Sequence, residues 1–248
     1  MNTRGKTICA VIGVMCPVLM FAGLISAGFF PPLPPSWSAD QVAAFYSSHA
    51  TQIRIGMVLN QFAGALMVVF ASVVFVQMRR IQSEVSPVLS CVQLGSGIFT
   101  AVPFLVPTMV WLTASYRPER DPQLTWLLND FGWIFFMGVF ASTVVENVAL
   151  GLAILSDRNP RPIFPRWLGY FNLWLSVLLF PAVLLSFFTT GPFAWNGALV
   201  FWVPATVFGS WFPVMLLYVL RDIRRQAAET PWRVDEGGDS VAIAGQVK

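Results

Sequence analysis

From Phe131 to Leu155 the chain reads FGWIFFMGVFASTVVENVALGLAIL, about 25 residues that are apolar apart from a few small hydroxyl side chains, one acid, Glu146, and Asn147 beside it. As a helix rising ~1.5 Å per residue, this run outspans a hydrocarbon core of about 30 Å. It is therefore read as a transmembrane helix. Its midpoint falls near Thr143, which places Glu146 about 4–5 Å from the bilayer centre at that rise.

The rest of the chain repeats the pattern. Further apolar runs cover residues 8–30, 55–78, 88–114, 167–188 and 198–220. Only 11% of the 248 residues are charged, against about 25% in soluble domains. No single aqueous core of this size could hide so much apolar surface. The expected fold is an all-α membrane protein, a six-transmembrane-helix bundle in lipid, occupying residues 1–225.

Local signals refine this. Arg4 and Lys6 precede the first run, which is longer than the about 7–15 apolar residues of a signal peptide, so an uncleaved first helix is expected. Pro31-Pro32 and Pro34-Pro35 cannot donate to a helical ladder and end it. Ser38 and Gln41 have the spacing of a capping box. Val42, Phe45, Tyr46 and His49 follow on one side, which predicts a short amphipathic helix in the outer interface. Pro103 and Pro107 are expected to bend the third span, as neighbouring helices permit in membranes. Gly56, Asn60 and Gly64 give the second span a face open to close approach. FFTTGPFAWNG, Phe187 to Gly197, carries two turn signals and predicts an outer hairpin with Phe193 and Trp195 in the interface. Residues 226–248 are mixed-charge and Gly-rich, the composition of a disordered cytoplasmic tail.

Six spans place both termini on one side. With the termini inside, inner segments hold 12 Lys and Arg and outer segments hold three, Arg54, Arg117 and Arg120. That bias satisfies the positive-inside rule and accounts for the basic total without nucleic acid. Trp37, Trp126, Trp167 and Trp195 stand near span ends, as an aromatic belt requires. Cys9, Cys16 and Cys91 lie in apolar runs without CxxC spacing and read as packing residues. The single histidine, His49, excludes bis-histidine haem ligation and an HExxH metal centre within this chain. No metal site and no cofactor are expected.

The informative residues are the polar ones inside the spans. Glu146, Asn147, Asn172 and Gln93 fall in the inner half, and Asn60 and Gln61 in the outer half. Arg54 and Asp130, at the outer ends of the second and fourth spans, are expected to form an ion pair. A central ionisable residue costs roughly 2.5–3.5 kcal/mol on insertion scales, which the Leu, Ile, Phe and Val of the fourth span can offset. Two roles fit Glu146. It is a protonatable carboxyl lining a substrate or proton path, or an acid bonded to Gln93 or Asn172 that ties helices together.

RPERDP (Arg117 to Pro122), LNDFGW (Leu128 to Trp133), FPRWLGYFN (Phe164 to Asn172) and TGPFAWNG (Thr190 to Gly197) together resemble a family of bacterial six-helix integral membrane proteins of unknown function. The resemblance implies six spans in a bacterial cytoplasmic membrane. It implies no activity or catalytic residue.

Three classes of function remain. One is binding or transport of a small, largely apolar compound, with Glu146, Asn147, Asn172, Gln93, Asn60 and Gln61 as polar contacts. Another is a non-transporting accessory or scaffold subunit, in a homo- or hetero-oligomer, where these groups only lock helices. The third, an intramembrane enzyme, lacks a GxSxG motif, a metal-ligand cluster and a phosphate-cradling loop. The chain is therefore read as a non-enzyme.

Overall fold

The computed structural model describes residues 3–117 and 119–229, and every regular element among them is helical. Six segments are long and apolar enough to cross a bilayer: Thr3–Ser26, Ala50–Met78, Ser86–Tyr116, Pro122–Leu155, Arg166–Phe187 and Gly191–Ala228. These are spans one to six. Phe62, Val88, Leu127, Trp174, Phe180 and Leu217 lie exposed on the outside, a surface that suits lipid and that water would penalise. The protein is an all-α, multi-pass membrane bundle. Spans one and six bring the two described chain ends to the same end of it, where Lys6 Nζ donates to Gln226 Oε1 at 2.7 Å.

Several boundaries move from their expected places. Span one stops at Ser26, not at Phe30. Gly28 takes φ +71, its N–H reaches the Ile25 carbonyl, and the Phe29 N–H reaches Leu24. These bonds close the helix before the prolines are reached. Phe29 then turns inward onto Trp111 and Trp133. The helix Ala39–Ser48 forms, with both bonds of the capping box in place. It buries Val42 and Tyr46 against span four and runs through His49 directly into span two, which starts at Ala50 rather than Ile55.

Small residues set the helix contacts. A β-carbon on Gly56 would overlap the carbonyl oxygen of Gly23 in span one, and one on Gly64 would stand 2.8 Å from Phe104 Cβ in span three. The predicted close-approach face of span two is therefore used against two neighbours.

Five spans are interrupted, span one at Val14, between helices Thr3–Gly13 and Met15–Ser26. Span three breaks at Thr100–Ala101, between helices Ser86–Phe99 and Val102–Tyr116. The break lies just ahead of Pro103, while Pro107 is carried inside the second helix. Span four breaks at Val139–Phe140. Span five tightens into a 3-10 helix at Phe180–Phe187, and span six passes through a π turn at Ala198–Trp202 before its long helix Val203–Glu229. Thr100, Val139, Phe140, Leu179, Val200 and Phe201 all face one cavity. Irregular backbone within a membrane is tolerated where protein buries it or where it lines such a space.

Three further expectations are corrected. Span four begins at Pro122, not Phe131, so its midpoint moves to the Gly138–Val139 junction. Glu146 then lies about 11 Å from that midpoint at ~1.5 Å per residue, in the half nearer the chain ends. Trp195 is buried rather than interfacial, because its indole N–H donates to the Leu33 carbonyl at 2.8 Å. The last helix continues past residue 226 to Glu229, held where Gln226 Nε2 donates to Gln77 Oε1 at 2.6 Å and to Asp222 Oδ2 at 3.0 Å. Residues 230–248 of the expected tail lie outside the described residues.

Candidate functional site

The first helix of span three buries Ser86, Ser90, Gln93 and Gly97, residues three and four apart and hence on one face. That face meets the second helix of span four, which buries Glu146 and Asn147. Gln93 Nε2 donates to Glu146 Oε1 at 3.1 Å. Gly97 leaves the room the carboxyl occupies, since a β-carbon there would stand 2.7 Å from Oε1.

The other carboxyl oxygen is poorly served. Its nearest donor is the Thr100 hydroxyl at 3.5 Å. That hydroxyl carries a single proton and lies closer to the Ser96 carbonyl, at 2.9 Å. It also contacts Ser142 Oγ and Thr143 Oγ1, both at 3.3 Å. Glu146 Oε2 therefore has no donor committed to it. No cation reaches the carboxyl either: the ion pairs among the described residues are Arg80–Asp222, Arg158–Glu84 and Arg225–Asp222.

Glu146 borders a cavity of about 120 Å³ to which all six spans contribute. Thr100, Thr143, Glu146 and Asn147 form its polar end, and the remaining walls are apolar, seven of their residues aromatic. Asn147 is only 3% exposed, yet its side-chain amide has no hydrogen-bond partner among the described residues. Beside the carboxyl, Gln93 Oε1 is buried without a partner as well. Asn147 lines the cavity with Glu146, and Gln93 stands behind the carboxyl, outside the lining.

The other predicted site residues are elsewhere. Asn172 does not meet Glu146. It donates to the Leu168 carbonyl at 2.7 Å and accepts from Trp211 Nε1 at 2.9 Å, joining spans five and six. Asn60 turns back on its own helix, donating to the Gly56 carbonyl at 3.0 Å, and Gln61 points its amide at Met109 Sδ, 3.1 Å away. Neither lines the cavity.

The expected pair of Arg54 with Asp130 does not form. Arg54 Nη2 donates to the carbonyls of Ser115 and Tyr116 at 2.6 and 3.2 Å. The last carbonyls of a helix lack intrahelical partners and carry partial negative charge, so they attract a cation. Asp130 accepts instead from Asn129 Nδ2 at 3.2 Å, and Asn129 Oδ1 accepts from the Tyr46 hydroxyl at 3.3 Å. Burial, with the nearby Asp130 charge adding to it, pushes the Tyr46 phenol well above the ordinary tyrosine range.

Three positions escaped the sequence reading. Gly97 and Thr100 continue the spacing of Gln93 along the buried face of span three, a stripe visible in the sequence once that face is known. Asp222, buried between Arg80 and Arg225, is hidden among arginines that topology alone explains. Comparison with family models, with curated proteins and with solved structures finds no match for this chain.

Proposed function

We propose that this bundle binds a small, largely apolar compound in the cavity at Glu146 and transfers it across a bacterial cytoplasmic membrane, with both chain ends in the cytosol. The observation that carries this reading is the placing of Glu146 and Asn147, both buried, at the polar end of a cavity that all six spans line. Bundle interiors are a common place for ligand sites, and an intramembrane carboxyl facing a cavity marks a pathway more often than a lipid contact. The interrupted helices supply backbone that can shift around the site. The arginine-rich turns 79–80 and 158–166 support the orientation.

The reading is tested by native mass spectrometry of the protein in lipid nanodiscs, with uptake followed in proteoliposomes. A bound small molecule should appear with wild-type protein and be lost with Glu146→Gln, which stays abundant and folded. If the polar groups only lock helices, as in an accessory subunit, wild type carries no such mass and the substitution changes stability or partner retention alone.

A further inference from the structure

We infer that the compound the cavity takes is an organic monocation, an ammonium group on an apolar body about the size of one ring, with its N–H directed at Glu146 Oε2. The inference rests on the cavity being the binding site and names the class of ligand.

Hydrogen-bond supply at the polar end is one-sided. Glu146 Oε2 lacks a committed donor, because the Thr100 hydroxyl oxygen, with one proton to give, lies nearer the Ser96 carbonyl. The Gln93 amide gives one of its two N–H groups to Glu146 Oε1 and leaves its own oxygen unpartnered. Asn147 contributes one further acceptor and the only uncommitted amide donor at that wall. What Glu146 Oε2 lacks is a committed donor, and an ammonium carries up to three.

Charge points the same way. No Lys, Arg or His lines the cavity, so a carboxylate there has no countercharge from the described residues. A charge held in such surroundings without a partner is strongly disfavoured. A cationic ligand supplies the partner, a neutral alcohol cannot, and an anion would be repelled.

The walls favour a cation too. The rings of Phe104, Phe136, Phe140, Phe208 and Trp211 border the space, and aromatic faces attract desolvated cations. Size limits the rest. A cavity of about 120 Å³ is comparable with an engineered apolar cavity of about 150 Å³ that holds benzene.

The test is calorimetric titration of wild-type protein in zwitterionic nanodiscs with benzylamine, cationic at neutral pH, and with benzyl alcohol, its neutral isostere. Empty nanodiscs give the partitioning background. Benzylammonium should bind about tenfold or more tightly than the alcohol, a difference of about 1.4 kcal/mol or more. Glu146→Gln should remove that preference while retaining alcohol binding. Ala205→Phe, which adds a ring at the cavity wall, should abolish both. Wild-type protein that binds benzyl alcohol as well as benzylammonium overturns the cation assignment and leaves the cavity as the ligand site. Failure of both probes to bind folded wild-type protein overturns the site as well.

Discussion

Gly97 and Glu146 face each other across spans three and four with no space for a methyl group between them: a β-carbon on Gly97 would stand 2.7 Å from Glu146 Oε1 and 2.8 Å from Ala71 Cβ. In an exposed helix, Gly→Ala gains about 1 kcal/mol of helix propensity. Here overpacking costs about 1–3 kcal/mol and displaces the carboxyl. Gly97→Ala should therefore lower the thermal midpoint in detergent and weaken ligand binding together. A variant as stable as wild type, with unchanged affinity, would show that Gly97 does not seat the carboxyl.

Asn172 predicts a different separation of effects. Asn172→Leu removes the acceptor for Trp211 Nε1 and leaves a buried indole N–H unserved. Interhelical hydrogen bonds in membranes average about 0.6 kcal/mol and reach about 1.7. Stability should fall by about that amount, read from equilibrium unfolding. The preference of the cavity for a cation should persist, since Asn172 does not touch Glu146.

Asp222 holds the end of the bundle that carries the chain termini. Its carboxyl is 1% exposed and pairs with Arg80 and Arg225, which are 30% and 32% exposed. Breaking a fully buried pair costs about 3–5 kcal/mol. Solvent reaches these guanidinium groups, so Asp222→Ala should cost less, about 1–3 kcal/mol. Salt should weaken the wild-type contact little, because the carboxylate is shielded from counterions. A thermal midpoint that falls steeply with added NaCl in wild type but not in Asp222→Ala would contradict this.

Tyr46 predicts loss of stability in alkali. Its folded pKa is raised, so the folded protein keeps the phenolic proton where the unfolded chain releases it, above about pH 10. The contribution is complete below that pH and is lost as the pH climbs through and beyond it. Unfolding midpoints should fall faster above about pH 10 in wild type than in Tyr46→Phe. Parallel curves for the two proteins would remove Tyr46 as the cause.

The sequence by itself determined the solvent, the number of crossings, the capped helix after span one and the small-residue face of span two. Each is a property of one stretch: its length, its periodicity, or the spacing of a side chain from its own backbone. It also singled out Glu146, because a carboxyl inside an apolar run is conspicuous without any partner. Tertiary structure alone decided which polar groups meet. Gln93 reaches Glu146 while Asn172 turns to Trp211, and Arg54 finds carbonyls instead of Asp130. One residue along a helix rotates a side chain by about 100°, so partners across spans depend on helix rotation, tilt and where each helix breaks. Four of the five breaks come together at one cavity, a coincidence among separate segments that no single segment records.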